Sequence, residues 1–279
     1  IKTLIDEFKY PRLGPGQMWE LCRDRVEATG NQVLLRHRVE AIELRHGRVV
    51  AVRAQTASGE RRFEADHVIS TAAVRSLVRM FDPPAPQAVR SAGEGLRYRD
   101  FLLVALILGR DNLFPDNWVY IHTPGVKVGR IQNFNNWSQA MVPVPGKTCL
   151  GLEYFCFKGD GLWTSPDADL LALAARELEQ LGLARAADVE DGTVTRMPKA
   201  YPIYDSTYSA HLARVREFID PVPNLHTVGR NGMHKYNNQD HSMVTALMAV
   251  WNMTVESHDI WAVNTDFEYH EHQKIEDGP

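Results

Sequence analysis

The chain has 279 residues, 44% hydrophobic and 24% charged, the proportions of a soluble globular protein with enough length to bury a real core. Its 31 basic residues against 35 acidic ones leave a net charge of −4, which gives no electrostatic reason to bind nucleic acid. Cys22, Cys149 and Cys156 are too few and too widely spaced for a disulfide framework or a zinc site, so a reducing, cytoplasmic setting is expected. The longest wholly apolar run, Phe101 to Leu108, is too short to cross a bilayer, and no integral membrane segment or signal peptide is expected. The chain opens with Ile rather than Met, which reads as a processed product or a fragment.

Residues 1–16 form a loop-rich entry ending in Tyr10-Pro11-Arg12-Leu13-Gly14-Pro15-Gly16. A helix is predicted from about Gln17 to Ala28, with Met18, Leu21, Cys22 and Val26 inward and Gly30 as its stop. Strands follow at Val33–Leu35, Val39–Leu44 and Val49–Ala54, with turns at His46-Gly47 and Ser58-Gly59. The meander feeds a short strand within Ala65 to Ala72. Pro83, Pro84 and Pro86 mark a break. Beyond it Phe101–Leu108 reads as a strand buried on both faces. Trp118–Ile121, Val128–Asn133 and Thr148–Phe157 read as half-buried. Ser165-Pro166 should open a helix as N-cap and N1, with Leu170, Leu173, Ala174, Leu178 and Leu181 as its apolar stripe and Gly182 as its end. Thr193–Met197 is a strand, Pro198 to Pro202 turns the chain, and a helix lies within 203–218. The tail from about Asn264 is polar, and its His270-Glu271-His272 group reads as solvated rather than metal-binding.

The stretch that organises the chain is His226 to Met253. A short strand, Leu225 to Val228, is halted by Gly229. A polar loop with Arg230, His234, Lys235, Tyr236, Asn237, Asn238 and Asp240 follows, and then a helix with Met243, Leu247 and Val250 on one face. Strand, glycine turn, cationic loop and helix N-terminus together can receive a phosphate, because unpaired amides and the positive end of the helix favour an anion. An ordinary solvated strand-to-helix connection reads equally well.

The block from Tyr10 to Ala72 resembles the middle of a flavoprotein of the amine-oxidase-like superfamily, which includes protoporphyrinogen oxidase and UDP-galactopyranose mutase. The resemblance is carried by Tyr10-Pro11-Arg12-x-Gly14-x-Gly16, Gly30-Asn31-Gln32-Val33, Val39-Glu40-Ala41-Ile42 and Ala65-Asp66-His67-Val68-Ile69-Ser70-Thr71. It continues through Ala200-Tyr201-Pro202-Ile203, Pro223 to Arg230 and Lys235 to Asp240, in an order similar to that of the mutases. The resemblance implies FAD as cofactor. Val39 would pair with its adenine, and Thr71 would end a strand running toward its phosphates. Gly229, Arg230, Asn238 and Asp240 would border the flavin side, while Tyr201 and Tyr236 would sit beside flavin and substrate. Two positions depart from the mutases. Leu150-Gly151-Leu152-Glu153 lacks the arginine expected three residues before the glutamate, and Asn238 stands where an aspartate is expected. The superfamily's opening Gly-x-Gly-x-x-Gly turn is also absent: Gly14-Pro15-Gly16 follows no strand, and Trp19 stands where a third glycine would.

The expected fold is therefore α/β (α+β), a partial Rossmann-like FAD-binding domain from residues 1–82 and 199–263 with an inserted mixed-sheet substrate domain at 83–198 and a polar tail at 264–279. The expected activity is that of an FAD-dependent oxidoreductase. A mutase-like sugar-nucleotide isomerase or a non-catalytic interaction module are the alternatives. Partners would be a small-molecule substrate, a sugar nucleotide in the mutase-like alternative, and a missing N-terminal segment of the same protein. His234, with His241 beside the same loop, is the candidate acid–base group, and Tyr236 and Lys199 are further catalytic candidates. Trp118, Trp137 and Tyr154, with Tyr120, Phe155 and Phe157, could line an apolar slot over the flavin or serve as sheet core.

Overall fold

The computed structural model describes residues 9–254 and 256–264. The expectations for the tail beyond Asn264, including the His270-Glu271-His272 group, lie outside them. In chain order, helix α1 (Pro15–Ala28) precedes the strands β1 (Arg38–Arg45), β2 (Arg48–Thr56), β3 (Gly59–Glu64) and β4 (Val68–Ser70). Next come α2 (Val74–Leu77), β5 (Phe81–Asp82), α3 (Gln87–Gly95), β6 (Tyr98–Leu108), β7 (Trp118–Tyr120), β8 (Arg130–Asn133) and α4 (Phe134–Trp137). After these lie β9 (Thr148–Cys156), α5 (Gly161–Thr164), α6 (Asp167–Gln180) and β10 (Val189–Pro202). The chain continues through α7 (Tyr208–Ile219), β11 (Leu225–Thr227), α8 (Gly229–Gly232) and α9 (Gln239–Trp251). The described residues divide into two compact units, one of 34–98 and 201–264, the other of 9–33 and 99–200.

The first unit holds a mixed sheet in the order β3-β2-β1-β5, an antiparallel meander with β5 added parallel to β1. His46 and Gly47 both have positive φ, the two-residue turn that suits a right-twisted hairpin. The expected strand at Val33–Leu35 does not form. Ile42, Val49, Leu77, Phe81, Val89, Leu96, Val215 and Ile219 make one core, with α3 and α7 against the sheet. A second sheet is only two strands, β4 and β11, parallel and in register from Leu225↔Val68 to Thr227↔Ser70.

The second unit is a five-stranded sheet, β10-β6-β9-β8-β7, covered on one face by α6. Leu102, Val104, Leu106, Ile131, Leu150, Leu152 and Tyr154 point into that core with Leu170, Ala174 and Leu178 of the helix. The burial of the two longest apolar strands is the reverse of the prediction. β6 alternates buried and part-exposed residues, whereas β9 is buried along nearly its whole length. β9 is hydrogen-bonded on both sides, and its polar Glu153 is masked because Arg130 of β8 stands opposite it.

Four further boundaries differ from expectation, each for a local reason. Helix α1 carries no buried residue, so Met18, Leu21, Cys22 and Val26 are not turned inward. Helix α6 begins at Asp167, because the Ser165 hydroxyl donates to the Gly161 carbonyl and closes the preceding turn instead. The turn at Pro198–Pro202 is a continuation of β10, interrupted by Lys199 in the left-handed region (φ 57°). Finally, α9 turns Thr245 and Ala249 inward and leaves Met243, Leu247 and Val250 exposed (43–50%). The reason is chemical: the Thr245 hydroxyl accepts the Gly229 N–H, so the polar side of the helix faces the glycine corner.

Buried polar groups act as staples. Asn224 donates to the carbonyls of Val49 and Asp66 and accepts the Val49 N–H, tying the meander to the strand that follows it. Glu177 on α6 accepts the amides of Lys127 and Val128 and the Tyr154 hydroxyl. His234 is fully buried, packed by Tyr98, Tyr204 and Tyr208 and donating Nε2–H to the Ile203 carbonyl at 3.3 Å. Burial drives its pKa down to about 4 against smaller upward pulls from that carbonyl and Asp205. A neutral imidazole sealed among tyrosines is core, which removes it as an acid–base candidate.

Asn224→Ala strands three backbone groups and should cost about 2–4 kcal/mol, seen as a lower urea midpoint. An unchanged midpoint would contradict the staple. For His234 the folded pKa lies below the unfolded one, so the unfolded chain takes up the proton first and stability falls as pH drops from 6.5 toward 4. Between about pH 7 and about pH 4.5 the native protein should lose roughly 2–3 kcal/mol more than His234→Phe. Parallel pH curves for the two proteins would refute this.

Candidate functional site

The carboxyl ends of β4 and β11 lie side by side because the strands are parallel, and the residues after them build a corner. Val228 N–H donates to the Ser70 carbonyl, and Gly229 then turns with φ 79°, a conformation that favours glycine. α8 follows at once. A Cβ on Gly232 would lie 2.7 Å from the Ser70 carbonyl oxygen, so only glycine lets this turn approach the end of β4 so closely. Thr71, exposed, is the next residue after that strand end.

From this corner Arg230 reaches toward the start of α9. Its Nε donates to the Asn237 carbonyl at 2.8 Å, and an Nη lies 3.5 Å from Asn238 Oδ1. The guanidinium sits over two tyrosine rings, 5.2 Å from the centroid of Tyr201 and 4.8 Å from that of Tyr236. Those rings stack on each other at 5.4 Å and 29°. Cation–π contact and the bonds to Asn237 and Asn238 fix the direction of this planar guanidinium, a group whose fork matches the oxygens of a phosphate or carboxylate.

The rest of the loop is fixed from behind. Tyr204 hydroxyl accepts the Tyr236 N–H at 2.7 Å, and Asn264 donates to the Tyr236 carbonyl and to Asn237 Oδ1. Lys235, expected to add positive charge, instead donates to the carbonyls of Trp261 and Val263 at 2.6 and 2.8 Å. Burial lowers its pKa, and it acts as an anchor for residues 261–263. Asn238 is the N-cap of α9, completing a reciprocal capping box with His241. His241 is thereby committed to the helix terminus. Asp240 is exposed in the first turn, beside His241.

The structure thus brings together Tyr201, Gly229, Arg230, Tyr236 and Asn238, with Thr71 at the neighbouring strand end. Val39 lies on β1 at a bulge in its pairing with β2. Lys199, Trp118, Trp137 and Tyr154 belong to the other unit. There Lys199 donates its backbone N–H to Asp100, Trp137 packs on Tyr10 at 5.1 Å, and Trp118 lies exposed on edge strand β7. Tyr154 is completely buried, its hydroxyl given to Glu177, and so is sheet core rather than ligand surface.

Sequence reasoning missed one group. Arg130 on β8 pairs with Glu153 of β9 at 2.5 Å, Gln132 also bonds that carboxylate, and Trp118 and Phe155 flank the guanidinium at 5.0 and 4.8 Å. Arg130 stands on the neighbouring strand directly opposite Glu153. The antiparallel register of the Val128–Asn133 and Thr148–Phe157 segments was the signal that could have found it. Among the described residues no group of three or more His, Cys, Asp or Glu could hold a metal, and no helix is long and apolar enough to cross a membrane.

The fold is similar to that of reduced UDP-galactopyranose mutase, with a TM-score of 0.72 at 17% identity over 88% of this chain and 54% of the other. A proposed protoporphyrinogen oxidase from Exiguobacterium sp. 255-15 matches with a TM-score of 0.59 at 18% identity, over 78% of this chain and 46% of that one. A Pyrococcus furiosus protein matches with a TM-score of 0.58 at 13% identity, over 90% and 55%. The chain therefore spans about half the length of these structures. No curated protein sequence matches it. The sequence model of one family covers residues 15–253, and the chain belongs to that family, the flavin containing amine oxidoreductases.

Proposed function

We propose that this chain is a portion of an FAD-dependent oxidoreductase, with the unit of 34–98 and 201–264 contributing to the cofactor domain and the unit of 9–33 and 99–200 to the substrate domain. The observation that carries the proposal is the Arg230–Tyr201–Tyr236 cluster after the carboxyl end of a parallel strand pair. Ligands of open α/β sheets bind at that end of the strands. Gly229 and Gly232 keep the backbone bare there, and Thr71 offers a hydroxyl at the same edge. A bound flavin would supply two-electron chemistry on a small-molecule substrate. Arg230 would neutralise the diphosphate or the electron-rich edge of the ring system, the tyrosines would orient it, and Asn238 would fix the arginine's direction. The cytoplasmic setting is likewise a proposal, supported by free thiols at Cys22, Cys149 and Cys156.

Exposed surfaces in the first unit support a further segment. A parallel sheet of two strands is rarely stable by itself, since such sheets are normally covered on both faces. Here β4 and β11 form such a pair, Ile69 is exposed, and α9 presents Met243, Val244, Leu247, Val250 and Trp251 to solvent. We assign these surfaces to strands and a helix from the same polypeptide that carry the glycine-rich turn. The partner segment and the cofactor are then parts of one site.

The Tyr201–Arg230–Tyr236 grouping also favours a second reading, a flavin-dependent isomerase of sugar nucleotides in which the arginine holds a diphosphate. A third, the interaction module, predicts no flavin at all. Purified protein carrying the preceding segment should absorb near ~450 nm, as bound flavin does. Arg230→Ala should weaken retention of flavin about 10–100-fold, the scale of lost charge-assisted bonds, and Arg230→Lys should recover only part of it. Colourless folded protein supports the interaction module, while a rise in melting temperature with UDP-galactose that is lost in Arg230→Ala supports the isomerase.

A further inference from the structure

We propose that the loops closing one end of the five-stranded sheet form a binding site for a neutral polyhydroxylated molecule, a free sugar or the sugar moiety of a glycoside. The proposal concerns the second unit alone and stands independently of the flavin reading. The β6–β7 connection and the β8–β9 connection enclose a cavity of about 450 Å³, a size that suits small ligands. Its position follows from strand register: Leu108 pairs with Thr148 and Asn133 with Leu150, so both connections emerge at the same end.

The cavity is built before any ligand arrives. Asn133 and Asn136 both donate to the Phe114 carbonyl, and Asn136 donates also to that of Asp116. Asn135 accepts the Cys149 N–H and donates to the Lys147 carbonyl. Asn133 and Asn136 therefore staple the two connections together, Asn135 ties the β8–β9 connection to the start of β9, and capacity remains. Each amide has two donors and two acceptor lone pairs, and among the described residues nothing donates to Asn136 Oδ1.

The lining selects the ligand. Side-chain amides both give and accept hydrogen bonds, as sugar hydroxyls do, while Val142 to Pro145 supply an apolar wall for the C–H face of a ring. Anions are disfavoured. The Lys147 ammonium is held by both carboxylate oxygens of Glu190, and Asp111 adds an exposed negative charge at the mouth. This separates the cavity from the arginine corner of the first unit, whose chemistry favours phosphate.

The test is saturation-transfer NMR and calorimetry on the full chain with glucose, methyl glucoside and myo-inositol, with pyrophosphate as the anionic probe. Asp111 and Gln139 line the cavity, are exposed, and make no side-chain hydrogen bond among the described residues, so Asp111→Ala/Gln139→Ala should fold with an unchanged melting temperature. At least one of the three neutral probes should bind, and the double variant should weaken it by about tenfold or more, as the loss of two hydrogen bonds predicts. The proposal is overturned if none of the three binds, if binding is unchanged in the double variant, or if pyrophosphate displaces the sugar.

Discussion

Everything assigned to the first unit turns on one contact, the guanidinium of Arg230 held over the faces of Tyr201 and Tyr236. An arginine in that position loses conformational freedom in exchange for cation–π attraction, and its fork is left with a fixed direction. The contact exists only because the backbone beneath it can be brought so near the strand ends. Gly229 supplies the left-handed turn and Gly232 the absence of a Cβ against Ser70. A Cβ at Gly232 would meet the Ser70 carbonyl oxygen, and any other residue at Gly229 would be strained by the positive φ.

Support for that corner comes from groups that do no chemistry. Thr245 on α9 takes the Gly229 amide, Asn237 and Asn238 hold the guanidinium, and Lys235 and Asn264 tie residues 261–264 to the loop. Charged and amide side chains that looked like ligand-binding groups are thus divided between the site and its scaffold. Lys235, His234 and His241 fall on the scaffold side. The same division appears in the second unit, where Glu177 and Asn135 are structural and Arg130 is neutralised by Glu153.

The hairpins, the positions of the long apolar strands and the strand–glycine–helix order were legible because turn residues and apolar runs act locally. Val39, Tyr201, Arg230 and Tyr236 came from resemblance, and the meeting of the last three in space is a property no spacing along the chain conveys. What stayed hidden was set by tertiary partners. α9 carries its apolar residues outward because a hydroxyl on the other side caps a backbone amide, a bond that a hydrophobic pattern does not reveal. β9 looked half-solvated because Glu153 is charged, yet Arg130 lies across from it. Tyr154 and His234 have side chains typical of sites, and only the packing around them decides otherwise.

The two exposed surfaces of the first unit and its arginine corner are one problem seen from two sides. A parallel pair without neighbours and a helix with an apolar face outward are stabilised by further strands, and the same strands would complete the cradle that Arg230 borders. The most direct measurement is amide hydrogen exchange on the flavin-loaded and flavin-stripped protein. The account predicts slower exchange on loading in peptides spanning residues 70–74 and 229–241. Flavin that binds while leaving both peptides unchanged and slows others instead would contradict it.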